Sequence, residues 1–229
     1  PLECLGCNMD LVKWSYSSFS EFKLCPKKYY HSRVAKDIPF EQTEAMRYGN
    51  YVHEAIEKYV MEGKELPENI SQFRPVVDSL IDIPGIKTAE EKVGFTLDMQ
   101  PCGFWDRNVW YRGKIDYLVR APGGAGFMVD WKTGANPRFA DVSELDLFSV
   151  AAFVKYPEIQ TINACLVFLV TGDVLPREYN RDAIPDILMK HIPDVHRLQS
   201  AHDGDTWNAT PNFTCRQYCK VSSCQFYQK

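Results

Sequence analysis

The chain has 229 residues, 45% of them hydrophobic and 24% charged, with a formal net charge of −4. That length can bury a sizeable core, and the hydrophobic and charged fractions are those of an ordinary globular protein. A secreted, disulfide-linked chain is kept as the lesser reading, since Asn208-Ala-Thr and Asn212-Phe-Thr are glycosylation sequons. No apolar run reaches the roughly 18–20 residues of a membrane span, and the first residues lack the basic-then-apolar layout of an export signal, so the cytoplasm and no membrane partner are expected.

In chain order, Ser18-Phe-Ser-Glu21 has capping-box spacing and predicts a helix that turns Phe19 and Phe22 toward the core. Pro26 restarts that helix before "KKYYHSRV". Residues 44–62 carry Tyr48, Val52, Ile56, Tyr59 and Val60 at helical spacing, and Gly63 ends the run. The proline-bearing stretch 64–89 reads as a loop with one short helix near 70–80. The period then drops to two, predicting strands over 90–99, 109–120 and 126–132, the last two joined by the turn "APGGA". A helix over 143–154, a strand over 164–172 and a helical stretch over 181–200 with an internal Pro193 follow. One α/β domain is expected: a helical part over 14–62, a core over 90–172 and a cysteine-bearing tail over 214–229.

Charge and cysteine are unevenly spread. From Lys13 to Lys36 six basic residues face one acid, Glu21, and residues 214–229 hold three basic residues and no acid. Local basic surface on an acidic chain suits an enzyme that binds cations at its centre and a polyanion at its rim. Of eight cysteines, Cys165 sits in the apolar run "ACLVFLV" and reads as core. Cys215, Cys219 and Cys224 form C-x3-C-x4-C, a metal-like spacing, and Cys4 and Cys7 form C-x2-C.

The stretch "GFMVDWKTG" (126–134) begins as a buried strand and ends with charge. Side chains alternate along a strand, so Met128, Asp130 and Lys132 share a face. On "YRGKIDYLVR" the carboxylate of Asp116 leaves the face of Ile115, Tyr117 and Val119, and the turn brings it beside Asp130. Two such carboxylates repel one another unless a cation lies between them, and hard oxygen ligands favour magnesium or manganese. Lys132 is then placed to orient or deprotonate a nucleophile and to offset phosphate charge.

"GKID" followed by "VDWK" resembles the split motif of the PD-(D/E)XK nuclease superfamily in its RecB-like exonuclease branch. Four further stretches are similar to that branch in the same order: "SYSSFSEFKLCPKKYY", "YGNYVHEAIE", "AEEKVGF" and "ELDLFSVAAF". The resemblance implies a restriction-endonuclease-like core, a central mixed β-sheet flanked by helices. It implies metal ligation by His53, Asp116, Asp130 and the carbonyl of Trp131, with Lys132 and a glutamate, Glu91 or Glu90, completing the catalytic set. It implies DNA contacts from Ser17, Lys27, Lys28, Tyr29, Glu144 and Phe148. Glu144 stands where the family has Gln, and Phe148 where it has Tyr. In some relatives, including the AddB subunit and the CRISPR-adaptation exonucleases, an early cysteine and three late ones hold a 4Fe–4S cluster. Here those positions fall on Cys25, Cys215, Cys219 and Cys224, with zinc as the other metal that four thiolates suit.

The activity expected is therefore a metal-dependent DNA exonuclease. It would act on single strands or duplex ends and leave a 5′-phosphate, in recombination, repair or phage DNA processing in a bacterial cell or phage-infected host. A structure-specific endonuclease and a non-catalytic nucleic-acid-binding subunit are the alternatives. No phosphate-cradling glycine-rich loop of a helicase is present.

Overall fold

The computed structural model describes residues 11–134 and 136–228, so Cys4 and Cys7 lie outside the described residues. The described residues divide into two compact units, one of residues 11–41 with 189–228 and one within residues 42–188. The expected cysteine tail thus groups with the N-terminal helices.

In the first unit, α1 spans Tyr16–Leu24 and α2 spans Pro26–Tyr29, with a wide turn over Tyr30–Val34. The cap of α1 is Ser15, not Ser18. The Ser15 side chain accepts the Ser18 N–H, and the Ser18 hydroxyl oxygen accepts the Ser15 N–H at 2.9 Å. The serine run offers both registers, and the one that buries Trp14 beside Phe19 prevails. Glu21, the expected capping acid, instead accepts from Ser32 and Arg33. Pro26 opens α2 where a missing N–H costs nothing. The tail is tied back to these helices: Asn212 donates to the Leu24 carbonyl at 3.2 Å and Lys27 N–H to the Asn208 carbonyl at 3.3 Å.

In the second unit, α3 spans Glu44–Glu62, opened by the Thr43 side chain and closed by Gly63 at φ 68°, a left-handed conformation that suits a residue without Cβ. A 3-10 segment, Glu68–Phe73, leads into α4, Arg74–Ile81. Five strands follow in one sheet: β1 Ile86–Phe95, β2 Tyr111–Arg120, β3 Ala125–Lys132, then, after α5 Ser143–Lys155, β4 Thr161–Phe168 and β5 Val174–Asn180. Their order in space is their order in sequence, and only β3 and β4 pair in parallel. A parallel pair needs a crossover, and α5 supplies it. The fold is α/β, a mixed sheet with helices against it.

One face of the sheet meets α3 and α4, with Val52, Ile56, Phe73 and Val77 packed on Tyr117, Val119, Val129 and Trp131. Burying each of these side chains stabilises by roughly 1.5–3 kcal/mol. The crossover helix α5 is buried almost along its length, Leu145 to Phe153. At Gly113 a Cβ would come within 2.7 Å of the Phe148 ring, so this glycine lets helix and strand close together. The last helix, α6, spans Ile184–Asp203 and contains Pro193.

Three expectations shift. β1 runs over 86–95 rather than 90–99, and residues 96–110 form a loop whose Thr96–Gln100 turn is closed by two hydrogen bonds. β4 lies over 161–168, three residues earlier than expected at its start. β5 was not expected at all: "VLPREYN" carries a proline and charged residues because it is an edge strand, where neither disturbs pairing.

Candidate functional site

The second unit holds a fork in its sheet. The last cross-strand pair between β2 and β3 is Tyr117 with Val129. One more step would set Asp116 opposite Asp130, but the ladder ends there. The Trp131 N–H is satisfied instead by the Asp116 carboxylate, Oδ2, at 2.8 Å. β1 parts from β2 at the same level. Ala89 pairs with Tyr117 and Glu91 with Ile115, but Glu90, between them, has φ 51° and no pair. A glutamate in the left-handed region costs on the order of 1 kcal/mol, and such strain persists where the surroundings impose it.

That kink decides between the two glutamates. Ordinary alternation would put Thr88 and Glu91 on opposite faces, yet Thr88 donates to Glu91 at 2.8 Å. Glu91 is further engaged by Lys155 at 2.6 Å and by the Tyr156 hydroxyl, both at the C-terminal end of α5. Glu90 is swung toward α3, where its Oε1 lies 3.5 Å from His53 Nδ1, and it also pairs with Lys114. The sequence order that put Glu91 first is therefore corrected: Glu90 is the glutamate of the cluster.

His53 Nδ1 also lies 3.3 Å from Asp116 Oδ1. One ligand atom each from His53, Glu90 and Asp116 falls within 4.8 Å of the others, the only such group of three among the described residues. On its other side, His53 Nε2 lies 2.9 Å from the Trp131 carbonyl. With Nε2 protonated, that carbonyl accepts its hydrogen and Nδ1 is left to face the acids. A metal-binding histidine is commonly oriented by such a second hydrogen bond. Trp131, expected as a ligand through its carbonyl, thus stands here as the acceptor that orients His53.

Asp130 and Lys132 lie on the β3 side of the fork. Lys132 Nζ is 2.6 Å from Asp130 Oδ2 and 2.7 Å from Glu144 Oε2 of α5. Burial, then the charge of Asp116, pushes the Asp130 carboxyl well above its usual range. The same repulsion motivates a cation between them. Burial opposes the charged form of Lys132, but Asp130 and Glu144 outweigh it and hold the ammonium protonated. For Glu90, burial is likewise outweighed by His53 and Lys114, which hold its carboxyl below the ordinary value. Burial works against a charged His53, yet hydrogen bonds from a protonated Nδ1 to Asp116 and Glu90 raise it to about 10, and a bound cation would take the place of that Nδ1 proton. Two carboxylates and an imidazole with a half-buried lysine alongside fit a divalent cation of the magnesium or manganese kind.

The expected DNA-contact residues divide. Glu144 is engaged with Lys132, and Phe148 is 5% exposed, packed in the core. In the first unit Tyr29 is only 4% exposed. It lies between Phe22 and Trp207, with its hydroxyl 3.3 Å from His202 Nε2, so no base can stack on it. Ser17 is exposed. Lys27 and Lys28 line a cavity with Cys25, Cys215, Cys219 and Cys224. Those four thiols are free of disulfides. The Thr210 N–H points at Cys25 Sγ at 3.4 Å, and the Asn212 N–H at Cys215 Sγ at 3.5 Å. Sequence reading missed Glu144 as a partner of Lys132; the pair links the end of β3 to the first turn of α5, a contact no local pattern encodes.

The PD-(D/E)XK nuclease superfamily matches this chain over residues 13–224. No curated protein matches it in sequence. Solved structures are similar to it, among them two that cover most of this chain. The "Putative exonuclease" of Eubacterium rectale is 14% identical with a TM-score of 0.47, covering 85% of this chain and 83% of its own. The protein SSO0001 is 13% identical with a TM-score of 0.50, covering 94% of this chain and 86% of its own. No helix among the described residues is long and apolar enough to cross a membrane.

Proposed function

This chain belongs to the PD-(D/E)XK nuclease superfamily, and from that premise we propose that it is a divalent-metal-dependent DNA exonuclease hydrolysing phosphodiester bonds in single strands or at duplex ends. The observation that carries the reading is the convergence of His53, Glu90 and Asp116 at the sheet fork, with Lys132 held beside them.

His53 Nδ1, Glu90 and Asp116 would hold the ion, magnesium or manganese, with Asp130 the further carboxylate next to Asp116. The bound ion supplies Lewis-acid polarisation of the phosphate and a more acidic water. Lys132, fixed by Asp130 and Glu144, orients the attacking water and offsets the charge that grows on the phosphate oxygens. Trp131 contributes through its backbone: its N–H fixes the Asp116 carboxylate and its carbonyl fixes His53. Attack displaces the 3′-oxygen of the neighbouring nucleotide, leaving a 5′-phosphate.

The first unit is read as carrying a 4Fe–4S cluster on Cys25, Cys215, Cys219 and Cys224. Cys25, Cys215, Cys219 and Cys224 line one cavity, and four thiolates suit an iron–sulfur cluster or zinc. The two backbone N–H groups aimed at Cys25 and Cys215 are the kind of donors that tune cluster thiolates.

End-labelled single-stranded, duplex and nicked circular DNA incubated with magnesium, manganese or EDTA tests the main reading. Metal-dependent release of 5′-phosphorylated nucleotides from linear substrates is expected. Cleavage that persists in EDTA, or in the Asp116→Ala protein, overturns it.

A further inference from the structure

The sheet carries a stripe of cations and aromatics leading away from the fork, and it meets the catalytic set where Lys114 pairs with Glu90. Lys114, which pairs with Glu90 at the fork, stands directly opposite Lys92 across β1 and β2, so both side chains project from the same face and both are exposed. Two residues further along, Arg112 projects from that face opposite Gly94, which adds no side chain to cover it. The loop between the strands folds its aromatics over this end. Lys92 lies 6.0 Å from the Phe104 ring centroid, and the Arg112 guanidinium lies 5.0 Å from Phe104 and 4.7 Å from Trp105. Phe104 and Trp105 meet edge to face at 4.8 Å. Trp105 is nevertheless 71% exposed. The loop is not loose there: Asp106 accepts the Gly103 N–H, and the Val109 N–H returns to the Asp106 carbonyl.

A large indole held out of the core by cation–π contact with an arginine keeps a flat face presented to solvent. From Glu90 to the level of Arg112 is four strand residues, about 13 Å. That is the span of a few nucleotides. Spaced cations that follow a backbone, ending in an aromatic platform, are what binding of an unpaired strand requires. A protein partner would also accept an exposed tryptophan, but it gives no reason for three cations on the face that leads from the cluster of acids.

We infer that Lys114, Lys92 and Arg112 form a phosphate track running from the fork, and that Trp105 stacks on an unpaired base of the strand lying in it. The inference rests on the nuclease reading for its substrate class, and it adds that the bound DNA is single-stranded at this end of the sheet. The sequence signature, "FWDRNVWYRGK", interleaves aromatic and basic residues.

The test uses the full chain and fluorescein-labelled oligothymidylate in EDTA, with anisotropy as readout, against a blunt duplex of equal length. Trp105→Ala weakens oligothymidylate binding about five- to a hundredfold, Trp105→Phe recovers most of it, and duplex binding does not change. Lys92→Gln lowers the salt slope of oligothymidylate binding by about one. Oligothymidylate binding unaffected by Trp105→Ala overturns the track and assigns the patch to a protein partner. Equal losses for both DNAs overturn it too, since a stacking platform reads only unpaired bases. Manganese-dependent hydrolysis of bis(p-nitrophenyl) phosphate, too small to reach Trp105, is measured alongside. No hydrolysis by the unmodified protein together with Trp105-dependent strand binding sinks the nuclease reading alone. Hydrolysis with Trp105-independent binding sinks the track alone.

Discussion

Asp116 accepts the backbone N–H of Trp131 at 2.8 Å, so the carboxylate on one strand holds the backbone of the strand that carries Asp130 and Lys132. Asp116 is 7% exposed, and this bond replaces a ladder bond at the fork. The residue thus has a structural and a chemical duty that two substitutions separate. Asp116→Asn keeps an acceptor for the Trp131 N–H but loses the charge, so it retains its urea midpoint while metal-dependent cleavage falls to background. Asp116→Ala strands a buried donor and loses roughly 1–3 kcal/mol as well. Equal urea midpoints for the two variants would show that the N–H is satisfied elsewhere.

The left-handed backbone at Glu90 yields a prediction in which stability separates two variants that lose activity alike. Glycine accepts φ 51° without the Cβ penalty that alanine keeps. Both Glu90→Gly and Glu90→Ala remove the carboxylate, so both lose manganese affinity by isothermal titration and lose cleavage. Any difference in stability between them then reports the backbone alone, and Glu90→Gly should be the more stable by about 1 kcal/mol. Glu90→Ala matching or exceeding it in chemical denaturation contradicts the kink.

Glu91 behaves in the opposite way. Burial would raise its carboxyl, but Lys155, Tyr156 and Thr88 together hold it below its ordinary value. A carboxyl depressed by folding contributes stability that is present above its unfolded pKa, about 4.3, and is lost as pH falls through the lower folded value. Glu91→Gln should therefore flatten the acid limb of the stability–pH curve below about pH 4.3, and it should leave manganese affinity unchanged. A loss of metal affinity in this variant would return Glu91 to the cluster.

What could be read from the sequence follows from periodicity. Helix α3 was placed to the residue because Val52 and Ile56 recur at helical spacing and Gly63 stops the run. The "VDWK" strand was legible because apolar alternation ends in charge, and the face shared by Asp130 and Lys132 was fixed by that alternation. The choice between Glu90 and Glu91 was not legible. A glutamate with positive φ breaks the alternation on which strand reading depends, and neither neighbour is a glycine that would announce it. Tyr29 failed as a DNA contact for a tertiary reason, since Trp207, far along the chain, stacks on it at 5.8 Å. Strand β5 was hidden because an edge strand needs no apolar pattern on both faces.

Lys132 sits between Asp130 and Glu144, and the two contacts differ in consequence. Lys132→Met removes the ammonium from the site and should reduce cleavage at least a hundredfold while single-strand binding persists in EDTA; general acid–base and electrostatic contributions of this kind run to about 10²–10⁴. Its effect on stability is small, because Asp130, already pushed toward its neutral form by burial and Asp116, takes up a proton instead of remaining an unpaired charge. Glu144→Gln keeps a hydrogen-bond acceptor for Lys132 and so retains most of the rate. A Lys132→Met protein that still cleaves removes the lysine from the chemistry.

The four cysteines give the last prediction, because zinc and iron–sulfur occupancy have different signatures. Cys25 lies at the α1–α2 junction and the other three lie in the tail, so a bound centre cross-links two ends of the chain within one unit. Such a link stabilises by excluding conformations of the unfolded chain, as a metal clip closing a long loop does. Protein purified without oxygen should absorb broadly in the visible blue and contain iron and acid-labile sulfide. Cys219→Ser should bleach it and lower its melting temperature, while manganese binding at His53, Glu90 and Asp116 is retained, since those ligands belong to the other unit. Colourless protein carrying one zinc, lost in the same variant, would assign the thiolates to zinc.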